Sequence, residues 1–421
     1  MIPSHLLDPT KKKNERLSRT VLGVAPPPPL PSLCVTGAMS RIGKYRVATG
    51  TSSSANEDQD IGIRNDNGND GKKLMCPAKK YTIHDNGGVP IILSYIIFRP
   101  RQLYDQNKPP LLCLHGGPSI PSNYLLPIVN GVTDRTVIFY DQWGCGKSSR
   151  PQALTEPNSN NKNNAKKKAE YPPFSIPTMV EHLRQLIDEH WKLKRFHLFG
   201  HSFGGILAYE YLLAKTCTLD EELSGGRHAS CVSSLLLSST PTSASLIQSE
   251  SERLFRSLTS QEKSNGCSID GGNGCCEKDI TDKTAIASSE QQKQQLRQSM
   301  MKSEEFQQTH ECRLADCPLA LMDALGNMGP APWRGIEAIH GYEAEEVDEF
   351  HRIPSLLLRG EYDFCTESCM AGWRERLDGD NFKSEEVVLS NCSHYAMLED
   401  ENQFGAEILR FIRSHDAEDW P

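Results

Sequence analysis

The 421-residue chain has no stretch approaching the ~20 consecutive apolar residues that a membrane-spanning helix requires, and its first residues lack the apolar core of a secretory signal. A soluble, cytoplasmic protein with no membrane partner is expected. Positive charge is also in deficit: 46 Lys and Arg against 54 Asp and Glu give a net charge of -8. Such a balance offers no broad basic field for gripping a nucleic-acid backbone. Apolar residues reach only 37%, and the shortfall lies in polar stretches that cannot bury enough surface to offset their ordering entropy. The 14 cysteines are scattered, several inside apolar runs such as Leu111-Leu112-Cys113-Leu114. That distribution argues for reduced thiols in an intracellular compartment rather than a disulfide framework.

Residues 1–75 read as a disordered leader of Pro, Ser, Gly, Asn and charge, including the run Pro26-Pro27-Pro28-Pro29. Lys11, Lys12, Lys13, Arg16 and Arg19 also allow this segment to be an organellar transit peptide. Asn158–Lys168 and Ser264–Glu277 read as solvated insertions.

Regular patterning begins near Lys79. Tyr81-Thr82-Ile83 and Ile91–Phe98, separated by Asp85-Asn86-Gly87-Gly88, predict a β-hairpin. Leu111–Leu114 runs into His115-Gly116-Gly117-Pro118, and Thr136–Tyr140 into Asp141-Gln142-Trp143-Gly144. Continuous apolar runs ending in glycine-rich turns fit a parallel sheet covered on both faces. Helical spacing follows over 178–191, then a strand over 196–199, a helix over 206–214 and a strand over 234–237. Between about 241 and 350 strand signals give way to helix-like segments near Leu254, 300–310 and 319–325. Strands return at 354–358 and 387–389, and a helix over 404–412 closes the pattern. The prediction is an α/β fold with a mostly parallel sheet: first core part 76–240, helical cap 241–350, second core part 351–415.

The chemistry concentrates at Gly200-His201-Ser202-Phe203-Gly204, a G-x-S-x-G segment between a predicted strand and a predicted helix. A serine hydroxyl must project from a sharp turn to reach a substrate carbonyl, and flanking glycines leave room for that backbone. The segment reads as the nucleophile elbow of an α/β-hydrolase core. An unactivated serine is a poor nucleophile, so a histidine base and an acid should follow in the order Ser, Asp, His. Asp363, just past the strand at 356–358, is the candidate acid, with Glu361 its nearest rival. His394, on the loop after the last strand, is the candidate base; His115, His201, His310 and His351 compete. Backbone amides of Phe203 and Gly117 are the candidate oxyanion donors.

These segments resemble the proline iminopeptidase family of serine peptidases, especially the branch containing the tricorn-interacting aminopeptidase. His115-Gly116-Gly117-Pro118 resembles the family's HGGPG turn, Asp141–Ser148 its DQ-x-GCG-x-S segment, and Gly200–Gly205 its elbow. Gly360-Glu361-Tyr362-Asp363 and Cys392-Ser393-His394, followed by Glu399-Asp400, resemble its acid and base segments. The likeness spans about Tyr81 to Arg413. It implies a Ser202–His394–Asp363 triad, removal of an N-terminal residue, typically proline, from peptides or small amides, and no metal or cofactor. Three departures stand out: Ser119 replaces the last glycine of HGGPG, Trp143 stands where many members have Arg, and the cap diverges. Family members hold the substrate's α-amine with cap carboxylates, one in a GP-x-E segment, where Gly329-Pro330-Ala331-Pro332 here has Pro332. Glu304 and Glu305, on a stretch resembling another cap segment, are the remaining candidates for the amine.

Two other classes of protein leave weaker traces. Gly146-Lys147-Ser148 superficially matches the end of the phosphate-binding loop of a nucleotide-binding protein, but Asp141 stands where G-x-x-x-x-G-K-[ST] requires its first glycine. Zinc sets drawn from Cys267, Cys275 and Cys276, or from His310, Cys312 and Cys317, lack paired ligand spacing. The same fold also admits a general amidase or esterase, or a non-catalytic binding protein.

Overall fold

A computed structural model describes residues 61–64, 70–84, 90–100, 102, 107–152, 172–222, 231–265, 296, 299–300, 302–346, 353–379 and 383–416. The Asn-rich insertion, the hairpin turn, nearly all of the Gly/Cys-rich insertion, His351 and the proline run of the leader lie outside the described residues.

Ten strands among the described residues form one sheet: β1 (Ile61–Arg64), β2 (Asp70–Met75), β3 (Lys79–His84), β4 (Pro90–Pro100), β5 (Leu111–Leu114), β6 (Val137–Asp141), β7 (Arg195–His201), β8 (Cys231–Ser238), β9 (Ser355–Gly360) and β10 (Glu385–Leu389). Their order is β1-β2-β4-β6-β5-β7-β8-β9-β10, with β3 also paired to β4. From β6 to β10 every neighbouring pair is parallel, while β1 to β4 join antiparallel at one side.

The central strands are buried on both faces, and their alternation divides the core in two. Leu112, Leu114, Ile138 and Leu198 pack with Met179, Leu183 and Ile206, so the helices Ile176–Arg184 and Phe203–Glu222 cover one face. Leu111, Cys113, Val137 and Phe199 pack with Phe404, Ile408 and Phe411, so the helix Glu401–Ser414 covers the other. Its amphipathic spacing is what lets that helix bury one stripe against the sheet.

The leader expected over 1–75 is corrected at its end: β1 and β2 fall inside it, and β2 pairs with β4 through Lys73↔Pro100, Leu74↔Arg99 and Met75↔Phe98. Strands of this kind hold by backbone hydrogen bonds, so Asp70–Met75, with two lysines and little apolar alternation, carries almost no pattern to read. Between β8 and β9 the described elements are helical: Ala244–Asn265, Glu304–Phe306, a π-turn Gln307–Glu311, Leu319–Gly326, Ala331–Trp333 and Gly335–Ala338.

Candidate active site

Strand β7 ends in His201, and the helix starts at Phe203, which leaves Ser202 alone to make the turn. Its φ of 54° lies in the left-handed region that a non-glycine residue enters only at a cost of about 1 kcal/mol or more. The surroundings hold it there: Ser202 N donates to the Ser238 carbonyl at 2.8 Å, and Gly205 N to the Ser202 carbonyl at 2.9 Å. Glycine is required on either side by close approach. A Cβ on Gly200 would meet the Gly204 carbonyl at 2.3 Å, and one on Gly204 would meet the Leu114 carbonyl at 2.2 Å. Ser202 itself remains partly exposed.

Asp363 and His394 come together although they lie on loops after different strands. His394 Nδ1 stands 2.9 Å from Asp363 Oδ1, and both side chains are buried. Cys365 N also donates to that oxygen, at 2.7 Å, which fixes the carboxylate's orientation. Phe364 lies against the imidazole, with ring centroids 4.1 Å apart. The rings of His394 and His201 are 4.7 Å apart, so the imidazole stands beside the elbow.

The rivals take other positions. Glu361 is exposed and accepts from Asn391 N. His115 is buried, with Nε2 accepting from Gln142 N at 2.9 Å. His310 Nδ1 is engaged with the Tyr362 carbonyl at 2.7 Å. His201 contacts the Tyr124 hydroxyl and the His394 carbonyl through its two ring nitrogens.

The turn after β5 approaches the elbow directly: a Cβ on Gly116 would come within 2.8 Å of the His201 carbonyl and 2.9 Å of Ser202 Cβ. Gly116 N is used by the Tyr124 hydroxyl at 2.8 Å. Neither Gly117 N nor Phe203 N donates to another group among the described residues. Gly117 has φ 121°, a conformation closed to most side chains.

Glu304 and Glu305 are exposed at the start of a short helix whose next residue, Phe306, is buried and faces Phe364 at 6.3 Å. The three departures from the family pattern meet at one place. Ser119 Oγ donates to the Trp333 carbonyl, the Trp143 ring is edge-on to Trp333 at 4.9 Å, and Trp333 follows Pro332 directly. Phe174 links this cluster to Phe203, at 5.7 Å from Trp333 and 5.4 Å from Phe203. An aromatic wall thus runs from the elbow into the segment between β8 and β9.

Two carboxylates beside His394 have no sequence pattern that singles out their contacts. Glu399 accepts from Ser393 N, Ser393 Oγ and Arg313 N, clamping the His394 loop to the segment before Leu319. Glu311 is partly buried; burial pushes its carboxyl up, against the opposing pull of His394. Its carbonyl accepts from Tyr395 N at 3.0 Å, which sets residue 311 next to the His394 loop.

The loop after β6 is closed to phosphate. Asp141 accepts from Ser122 N, Ser122 Oγ and Lys147 N, while Gly146 N donates to the Asn327 carbonyl. The amides a nucleotide would need are already taken. Among the described residues no group of three or more His, Cys, Asp or Glu side chains is placed to hold a metal ion, and no helix is long and apolar enough to cross a membrane.

A sequence profile described as the alpha/beta hydrolase fold matches residues 109–401, more than half of the chain. The chain belongs to the α/β hydrolase family. This hydrolase is also similar to proline iminopeptidases. It is 27% identical over 321 residues to that of Lactobacillus acidophilus, covering 73% of this chain and 92% of the relative. To that of Levilactobacillus brevis it is 27% identical over 334 residues, covering 77% and 97%. The crystal structure of a proline iminopeptidase from Mycobacterium smegmatis superimposes with a TM-score of 0.53 at 20% identity, over 80% of this chain and 99% of that one, a likeness of fold.

Proposed function

We propose that this α/β hydrolase is a serine aminopeptidase that releases an N-terminal residue, proline by preference, from peptides or small amides. The observation that carries the proposal is the 2.9 Å His394–Asp363 pair, whose imidazole lies 4.7 Å from the ring of His201, the residue before a serine held in a left-handed turn between strand and helix. In this reading Ser202 Oγ attacks the scissile carbonyl while His394 Nε2 takes its proton. Asp363 holds Nδ1–H and stabilises the imidazolium that results. The oxyanion forms between the amides of Gly117 and Phe203, which have no competing acceptor among the described residues. Collapse breaks the C–N bond, His394 returns the proton to the leaving amine, and water repeats the sequence to free the acyl group.

The substrate assignment rests on similarity to proline iminopeptidases. The helical segment between β8 and β9 acts as the cap, and Glu304 and Glu305 meet the protonated α-amine in it. A cytoplasmic location is part of the same proposal. A general amidase or esterase is favoured by one observation: Pro332 and the aromatic wall of Trp333, Phe174 and Trp143 occupy the corner where a recognition carboxylate is missing.

The test is a profile of purified protein against aminoacyl amides, free and N-acetylated, and against p-nitrophenyl acetate, with Ser202→Ala as the control. Turnover of free prolyl amides that vanishes in Ser202→Ala supports the aminopeptidase. Equal cleavage of free and blocked substrates would replace it with the amidase or esterase, and persistent activity in Ser202→Ala would remove the triad.

A further inference from the structure

A chain of three hydrogen bonds links the oxyanion turn to the base. Gly116 N–H donates to the Tyr124 hydroxyl at 2.8 Å, that hydroxyl lies 2.9 Å from His201 Nδ1, and His201 Nε2 lies 2.9 Å from the carbonyl oxygen of His394. Tyr124 and His201 are each only 1% exposed, so water does not compete for these contacts.

Every proton in the chain is assigned by elimination. A carbonyl oxygen only accepts, so His201 Nε2 carries hydrogen. Burial, aided by the neighbouring His394, holds the His201 pKa well below its ordinary value, so the ring is neutral and Nδ1 is an acceptor. The Tyr124 hydroxyl therefore donates to Nδ1 and accepts from Gly116. Edge-on contacts of the Tyr124 ring with His201 and Tyr395, each at 5.4 Å, hold the phenol in place.

His394 is held twice, by Asp363 at its ring and by His201 at its carbonyl. The Gly116 amide is consumed, which leaves Gly117 as the donor free to face an oxyanion. Resting on the triad reading above, we infer that Tyr124 and His201 are positioning residues that fix the oxyanion turn and the base relative to each other. Neither touches the reacting atoms. They set the geometry on which nucleophilic attack and oxyanion stabilisation must coincide, where a displacement of an ångström can cost on the order of 100-fold.

The test uses the full chain, p-nitrophenyl acetate and a fluorophosphonate label for the serine. Tyr124→Phe removes one oxygen and keeps the ring, and thermal unfolding with circular dichroism reports whether it folds. The expected result is a folded protein whose kcat falls roughly tenfold to 100-fold with KM within about twofold, and whose labelling slows in parallel. His201→Gln, whose amide reaches as far as Nε2, retains more kcat than His201→Asn, which is too short for the His394 carbonyl. Tyr124→Phe combined with His201→Asn costs less than the product of the two single losses, because both break one chain. Folded Tyr124→Phe with unchanged kcat, a change in KM alone, or full multiplicativity overturns the inference. Ser202→Ala separates it from the reading beneath it: an inactive Ser202→Ala beside a fully active Tyr124→Phe sinks only the positioning role, whereas an active Ser202→Ala sinks the triad.

Discussion

The Ser119 hydroxyl donates a 2.9 Å hydrogen bond to the carbonyl oxygen of Trp333, joining the turn after β5 to the segment between β8 and β9. A second bond, Gly329 N to the Ser119 carbonyl at 3.1 Å, runs in the opposite direction. Ser119 has φ 70°, a conformation that favours glycine, and it stands where the family's turn has one. The hydroxyl bond is what the serine gains in exchange for the strained backbone. Ser119→Ala keeps the strain and leaves the buried Trp333 carbonyl without this donor, a loss of about 1–2 kcal/mol. Ser119→Gly loses the bond but relieves the strain, so it should be the more stable of the two by about 1 kcal/mol. Urea unfolding of both variants measures the order, and an alanine variant at least as stable as the glycine one contradicts it.

Asp363 and Glu361 are two residues apart and meet different groups. Asp363 Oδ1 faces His394 and also accepts from Cys365 N, while Glu361 accepts from Asn391 N at the surface. An amide at 363 can turn its NH₂ toward the imidazole and favour the wrong tautomer, a change that in the chymotrypsin-type triad lowers kcat ~10⁴-fold. Asp363→Asn should therefore cost several orders of magnitude in kcat, and Glu361→Gln less than about threefold. Steady-state kinetics with the opposite ranking would move the acid to Glu361.

What could be read from the sequence was whatever local pattern encodes. The elbow was legible because Gly200, Ser202 and Gly204 sit between an apolar run and an apolar helix within a few residues. Chain order then narrowed the choice of acid and base. The Tyr124–His201–His394 chain was not legible, because its members are separated by 77 and 193 residues and nothing in a local window marks a tyrosine as a bridge. Strands β1 and β2 were missed for the opposite reason: their contacts are backbone bonds, which leave little trace in side-chain type. Ser119, Trp143 and Pro332 were visible as separate departures, but only packing around Trp333 shows that they share one corner.

Far from the elbow, Arg135 is fully buried and donates to Asp416, which also meets His197 Nε2 at 3.1 Å. Burial raises the carboxyl of Asp416, but hydrogen bonds from His197 and Arg135 outweigh it and leave the group below its ordinary range. Asp134 behaves alike: bonds from Arg413, Arg135 and Lys108 overcome burial and bring it to about 2. His197 is lowered by burial, against the pull of Asp416. All three folded values lie below the unfolded ones, so their stabilisation is complete above the unfolded pKa and is lost as pH falls. The histidine part fades below 6.5 and the carboxylate part below 3.8, with Asp134 protonating at about 2. Asp416→Asn should lower stability at pH 7 by about 1–2 kcal/mol, because Arg135 loses one of its two carboxylates. The same variant should show a shallower loss of stability through the acid range. Urea unfolding across pH checks both, and an acid limb as steep as that of the unmodified protein would exclude Asp416 as a source.

Exposure sets how strongly a carboxylate pair could hold the substrate's amine. Glu304 and Glu305 are exposed at the start of a short helix, and Phe306 carries that helix to Phe364 and so to His394. A buried charge-assisted hydrogen bond contributes about 1.5–3 kcal/mol, but an exposed ion pair contributes at most about 1 kcal/mol and is screened by salt. If substrate dehydrates the pair only in part, Glu304→Gln with Glu305→Gln should lower kcat/KM for free prolyl amides by about tenfold, less at high salt, and leave N-acetylated substrates unchanged. Glu311 provides the contrast. It lies partly buried beside the His394 loop, with its carboxyl pushed up by burial and opposed by His394. An ammonium group arriving there would meet a less hydrated carboxylate, and the loss in Glu311→Gln would exceed about tenfold and resist salt. Measured side by side on free and acetylated prolyl amides, a loss confined to the Glu304/Glu305 variant places the amine at the helix start. A loss confined to Glu311→Gln moves it to the His394 loop, and no difference between free and blocked substrates in any of the proteins removes amine recognition and leaves an amidase or esterase.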